Sequence, residues 1–255
     1  MGKRIVITGA STGIGAALAR QLGLAGHFLV LSARHEAELL VVTGQIGSGA
    51  RAVVGDMTRR ANVTHVRDEA LRLLGHVDVW INNVGRGITR PVLELTDDDV
   101  DEMIAVNVKS ALYGMQAIVP HFIERGKGHL INISSFLSRV PVASYRSAYS
   151  GAKAMLNALT ANLRMDLAAS HPGIDVSLVL PGMVATDFAQ RALGGPPAGG
   201  LVMATPAQAT GDVAREIIAL IRQPEAERYT NPALHDIVRR YYNDVGAFEG
   251  GKKPG

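Results

Sequence analysis

Short apolar, β-branched runs alternate with longer helical patterns along most of the chain, and that alternation limits what it can fold into. Residues 4–9 "RIVITG", 27–33 "HFLVLSA", 50–56 "ARAVVGD", 77–83 "VDVWINN", 128–135 "GHLINISS" and 173–182 "GIDVSLVLPG" read as strands, with 227–230 "ERYT" as a short seventh. Helical patterns fill the intervals at 13–25, 36–47, 59–74, 96–124 and 145–170. A further helix running to Ile221 is expected to open on a capping box at 205–208, "TPAQ". The helix at 96 opens "TDDD", a capping threonine followed by acids in the first turn. Strands that are apolar throughout and separated by helices predict an α/β fold, a parallel sheet covered on both faces. The 255 residues suit one domain spanning 1–255, with no internal repeat and no dividing linker. The Gly/Pro-rich stretch within 186–204 reads as a mobile substrate loop, and the tail after 243 as frayed.

Composition removes several functions. The chain has no cysteine, which excludes disulfides and thiolate catalysis. The formal charge is +3 at a pI of about 9.3, with basic residues scattered except in "GKKPG" at the end, so no nucleic-acid footprint is visible. The start "MGKRIVITGA" is too short in apolar length for a signal peptide, and Val6 stands where a myristoylation motif wants Ser or Thr. No run is long enough to span a bilayer, so a cytoplasmic protein is expected. No metal-ligand pattern stands out.

The first strand runs into "TGASTGIG", residues 8–15. Glycines let the backbone turn sharply and approach a ligand, and the helix start that follows offers free N–H groups and a positive dipole end to a pyrophosphate. Gly9, Ser11, Thr12, Gly13, Ile14 and Gly15 are therefore candidate dinucleotide contacts. The spacing is G-x-x-x-G-x-G rather than G-x-G-x-x-G. At the end of the second strand an acid would bind the ribose 2′-hydroxyl of NAD. The sequence there is "LSARHEAEL", and Arg34 suits a 2′-phosphate instead, which favours NADP(H) over NAD(H).

These motifs, with Asp56 after the third strand, "NNVG" at 82–85, Asn107, "NISS" at 132–135, "YSGAK" at 149–153 and "PGMVAT" at 181–186, resemble the short-chain dehydrogenase/reductase family in its small, single-domain branch. The likeness runs from Arg4 to about Thr230. It departs at Val84, usually alanine, and at Thr12, where NADP-preferring members often carry a basic residue. The resemblance implies a Rossmann-type, doubly wound sheet of order 3-2-1-4-5-6-7, with the cofactor across the strand C-terminal edge. It implies Asp56 and Met57 at the adenine, Asn82 and Gly85 lining the cofactor, and Val184 and Thr186 near the carboxamide. It further implies an active site of Asn107, Ser135, Tyr149 and Lys153, with Asn107 holding a relay water, and a homodimer or homotetramer.

Tyr149 and Lys153 are four apart in a helical run, so they share a face. Lowering a phenol from about 10 by three units takes about 4 kcal/mol. A cation about 5 Å away supplies roughly 3 kcal/mol at an effective dielectric of about 20, and phenolate desolvation opposes it. Lys153 is thus expected to make Tyr149 a usable acid, with help from an oxidised nicotinamide, and to bind the nicotinamide ribose. Tyr145, one turn earlier, has Tyr149 rather than a cation four residues on and reads as packing or substrate-lining. Ser135, at the sheet edge, can stabilise charge growing on a carbonyl oxygen, although Ser134 and Ser138 are chemically equivalent neighbours.

The expected function is hydride transfer between NAD(P) and a carbonyl or secondary alcohol. A non-catalytic dinucleotide sensor and reduction of another bond, such as an enoyl group, are the alternatives. Phe188, Leu193, Leu201 and Met203 suggest an apolar substrate, and Arg86 and Arg90 are candidates for attracting an anionic one.

Overall fold

β1 (Arg4–Thr8) lies at the centre of a seven-stranded sheet with β2 (Phe28–Ala33) and β3 (Ala50–Val54) to one side and β4 (Val79–Asn82), β5 (Gly128–Ile133), β6 (Ile174–Leu180) and β7 (Glu227–Tyr229) to the other. The structure is a computed structural model describing residues 2–197 and 206–250. Every pairing is parallel, and the order is 3-2-1-4-5-6-7. Ile5 of β1 pairs with Leu29 of β2 and Val79 of β4, so the central strands are in step. The reversal of direction between β1 and β4 opens a crevice at the C-terminal ends of these strands, the ligand-binding place in such sheets.

The helices are α1 (Gly13–Leu24), α2 (Glu36–Ile46), α3 (Arg60–Leu74), α4 (Asp97–Ile104), α5 (Ser110–Arg125), α6 (Ser147–Ala168), α7 (Thr210–Arg222), α8 (Ala233–Asn243) and α9 (Val245–Gly250). Successive strand residues face opposite ways, which gives the sheet two cores. Ile5 and Ile7 pack with Leu18 and Leu22 of α1, Leu39 of α2 and Ile217 of α7. Val6 and Trp80 pack on the other face with Val66 of α3, Ile118 of α5 and Leu156 of α6. Continuous apolarity along the strands thus reflects burial on both sides.

Four departures from the sequence expectation have physical causes. The helix expected over 96–124 is continuous but widens into a π turn at Ala105–Lys109, between α4 and α5. Asn107 Nδ2 donates to the Met103 carbonyl at 3.1 Å, the acceptor that a regular α turn would give to its backbone N–H. The helix expected from Tyr145 begins at Ser147, with Arg146 as its cap. The helix expected to open at 205–208 begins instead at Thr210. Gln208 is extended there, its N–H donating to Met183 O and its carbonyl accepting from Ala185 N; Thr205 lies outside the described residues. Finally, Val245–Gly250, within the stretch expected to fray, form α9, where Phe248 stacks edge-on with Tyr241 at 5.4 Å and the Tyr241 hydroxyl donates to Glu249. No described helix is long and apolar enough to cross a membrane.

Candidate active site

The loop between β1 and α1 is drawn tight by its glycines. Gly9 and Gly13 have φ of 65° and 56°, values that only glycine adopts readily. A side chain at Gly15 would place its Cβ 2.3 Å from the Gly9 carbonyl and 2.6 Å from Asn83 Nδ2. Asn83 braces the loop from the β4 end, donating to the carbonyls of Thr8 and Gly9. A Cβ added at Gly13 would lie 3.5 Å from the Thr186 methyl. Thr12 caps α1 in an extended conformation without using its hydroxyl, and Ser11 Oγ donates to Glu38. Ile14 packs partly into the core. The result is a backbone cradle at a helix N-terminus, which fits a dinucleotide pyrophosphate.

The other predicted contacts divide. Arg34 is exposed at the end of β2, beside the crevice. Asp56, after β3, accepts from the backbone and hydroxyl of Thr58, which fixes its carboxylate. Met57 is buried in the core beneath α3, so its side chain does not line the crevice. The Asn82 side chain is likewise turned into the fold. Its amide accepts from Trp80 Nε1 and donates to Ala111 O and Asn132 Oδ1, so the side chain is consumed inside the fold. A buried amide demands such partners. The extended pairing of Met183 and Ala185 with Gln208 turns the backbone of Val184 the other way, toward Thr186. Of the expected loop at 186–204, residues up to 197 are described; Leu193 donates to Gly87 O and accepts from Thr89 N. Leu201 and Met203 lie outside the described residues.

Lys153 and Asn107 converge on Gly85, with Tyr149 one helical turn before Lys153. A Cβ at Gly85 would meet Asn107 Oδ1 at 3.2 Å and Lys153 Nζ at 3.4 Å. Lys153 Nζ lies 6.0 Å from the centre of the Tyr149 ring. Asn107 is fully buried, donating to and accepting from the backbone of Arg86. Of the three serines, Ser134 donates to Asn157 and Ser138 is held by Asn157 and the Ser135 carbonyl. Ser135 Oγ accepts only from Leu137 N, and its hydroxyl is the one that acts on Tyr149.

Burial sets the electrostatics of the nucleotide-free site. Burial pushes the Tyr149 phenol up to about 12, against opposing pulls from the Ser135 hydroxyl and the Arg146 guanidinium. Burial also brings Lys153 down to about 7. Without a nucleotide, desolvation of the buried phenolate outweighs the pulls toward the anion, and Lys153 Nζ donates to the Ile133 carbonyl.

Residues 3–194 match the short chain dehydrogenase family profile. The chain belongs to the short chain dehydrogenase family. An uncharacterized oxidoreductase of Staphylococcus epidermidis is 32% identical over 195 residues, covering 74% of this chain and 84% of that protein. One from Staphylococcus aureus is 36% identical over 185 residues, covering 72% and 79%. Among solved structures, a short chain dehydrogenase/reductase from Burkholderia phymatum in complex with NAD aligns with a TM-score of 0.86 at 25% identity, over 100% of this chain and 96% of that one. One from Sphingobium yanoikuyae in complex with NADPH aligns at 0.80 and 28% identity, over 98% and 94%.

Three arginines of this short chain dehydrogenase lie near the site, and only one lacks an acid partner among the described residues. Arg86 pairs with Glu102 at 3.3 Å and Arg90 with Asp99 at 2.5 Å, so neither is a free anion receptor. Arg146 is buried at 2% exposure beside Tyr149, and it has no acid partner among the described residues. Its position in "SYRSAYS", three before Tyr149, was the available signal. Tyr145 precedes α6, and its ring lies 5.5 Å from the Arg146 guanidinium.

Proposed function

We propose that this short chain dehydrogenase is an NAD(P)-dependent oxidoreductase acting on a carbonyl or secondary alcohol, with Tyr149 as its acid and base. The observation that carries the reading is the convergence of Asn107 and Lys153 on Gly85, with buried Tyr149 one helical turn before Lys153. The bound nicotinamide would supply or accept the hydride. Ser135 and Tyr149 hold the substrate oxygen, and the phenol, protonated at neutral pH, gives its proton to the forming alkoxide. Lys153 binds the ribose hydroxyls, and Asn107 positions a water that returns the proton through Lys153. In alcohol oxidation the proton moves the opposite way.

The glycine loop holds the pyrophosphate on backbone N–H groups of Gly13, Ile14 and Gly15, and Val184 offers its backbone to the carboxamide. Asp56 and the Met57 backbone border the adenine. NADP is favoured over NAD because Arg34 stands exposed where NAD-binding folds place an acid. Met155 and Met165 of α6 and Ile123 of α5 are exposed apolar side chains that support pairing of subunits through these helices.

The test is nicotinamide absorbance on a panel of ketones and secondary alcohols, with NADPH and NADH titrated separately. Turnover with tighter NADPH binding is expected. Tighter NADH binding would refute the role of Arg34, and binding without turnover on any ketone or alcohol would favour a sensor.

A further inference from the structure

We propose that Arg146 is a substrate-binding residue that receives a carboxylate, making the substrate a short oxo acid or the matching hydroxy acid. This rests on the oxidoreductase reading of Tyr149. Arg146 caps α6 three residues before Tyr149, and its guanidinium is almost wholly removed from solvent. Nη1 donates to Ile88 O at 3.0 Å and to Thr89 Oγ1 at 3.1 Å. Nη2 is buried and has no hydrogen-bond partner. Among the described residues no acid pairs with this cation, whereas Arg86 and Arg90 each have one.

A buried charge without a counter-charge is costly and persists where something compensates it. Bracing the 88–89 segment does not explain it, because Nη1 alone does that and Nη2 is left over. Gly87 lets the guanidinium lie against the 87–89 backbone next to Phe188: a Cβ there would fall 2.9 Å from Arg146 Nη1 and 2.8 Å from Phe188 Cε1. A guanidinium fork matches the two oxygens of a carboxylate.

Phe188 connects this guanidinium to the chemistry. Its ring meets the Tyr149 ring edge-on at 5.4 Å and lies 5.9 Å from the Arg146 guanidinium carbon. An acid held at Arg146, with its chain along Phe188, presents a carbonyl a few bonds away to the Tyr149 hydroxyl. Phe188 is only half-buried and must turn aside to admit it.

Calorimetric titration with pentanoate and with pentanamide tests the assignment without turnover. The wild-type enzyme is expected to bind the acid about tenfold or more tightly than the amide, the size of effect a charge-assisted contact gives. Arg146→Gln should lose that preference and Arg146→Lys should keep part of it. Tyr149→Phe should keep it in full. Equal affinities in the wild type, no measurable binding of pentanoate, or a preference that survives in folded Arg146→Gln would each overturn the proposal. If Arg146→Gln does not fold, Arg146→Met serves in its place under the same criterion, and the wild-type comparison stands unaided. Failure of the oxidoreductase reading shows separately, as no turnover on the ketone panel with the acid preference intact.

Discussion

Lys153 Nζ donates to the Ile133 carbonyl at 2.9 Å, which ties the helix bearing Tyr149 to the end of β5 two residues before Ser135. The same bond sets the ammonium beside Gly85. Under the proposed mechanism Lys153 positions the helix and binds the cofactor, and Tyr149 is the proton donor. Tyr149→Phe should reduce kcat by about 10²–10⁴-fold, the usual contribution of a general acid, with nucleotide affinity unchanged. Lys153→Met should raise the nucleotide dissociation constant as well as lower kcat. Fluorescence titration with NADPH beside steady-state rates separates the two; a Tyr149→Phe enzyme with normal turnover would remove the phenol from the mechanism.

The phenol at about 12 gives the two reaction directions different pH profiles. Ketone reduction uses the protonated phenol, which is present throughout the neutral range, so its rate should not fall between pH 7.5 and 9.5 through loss of the acid. Alcohol oxidation uses the phenolate, whose fraction rises about tenfold per pH unit below the pKa. Its kcat/KM should climb across the same range. Lys153 titrates near 7 in the nucleotide-free protein, so nucleotide binding should weaken above that pH as the ammonium is lost. Initial rates in both directions over pH 6–10 decide this. Reduction that declines with a pKa near 7 and oxidation already flat there would mean a phenol far more acidic than the structure gives.

Strand and helix positions and the glycine loop were legible in the sequence because they depend on local pattern: apolar runs, turn glycines and capping residues; the strand order came only from the family resemblance. What was not legible depended on which partner a polar group finds in three dimensions. "NNVG" gives no sign that Asn82 spends its amide on Trp80 and Asn132 while Asn83 holds the glycine loop. Arg86 and Arg90 look available until α4 brings Glu102 and Asp99 to them. Tyr149 and Lys153 share a face as the four-residue spacing requires, but their proton affinities follow burial, which spacing does not report.

The Asn82 cluster should be a large part of the stability of the sheet. Trp80, Asn82, Asn132 and Thr160 form a buried chain of hydrogen bonds that ends on the Leu156 carbonyl. Asn82→Ala strands the Trp80 indole N–H and removes a donor from Ala111 O and Asn132 Oδ1. A loss of about 2–4 kcal/mol is expected, at roughly 1–3 kcal/mol per stranded buried group. Gly114→Ala should be comparably harmful, since its Cβ would lie 2.2 Å from Asn82 Oδ1. Urea denaturation measures both, and a loss below about 1 kcal/mol for Asn82→Ala would mean the cluster is not a buried network.

His129 gives stability its own pH dependence. It lies on β5, buried, with Nε2 against the Ser177 hydroxyl at 2.8 Å and Nδ1 without a partner. Burial pushes its imidazole down from 6.5 to about 4, with Lys3 adding a smaller push in the same direction. The unfolded chain takes up a proton near pH 6.5 that the folded one refuses. The stability from neutral His129 is thus complete above about 6.5 and is lost as pH falls through 4, a change of about 3 kcal/mol at 1.36 kcal/mol per unit. His27, His76 and His121 are shifted the same way, also chiefly by burial, and add to the slope. Lys153 acts in a different window, between 10.5 and about 7, so it does not confuse the acid limb. Unfolding free energy should therefore fall from pH 6.5 to 4.5 in the wild type, and His129→Gln should flatten much of that fall. An unchanged slope in His129→Gln would mean that His129 is already protonated in the fold and that Nδ1 has found a partner.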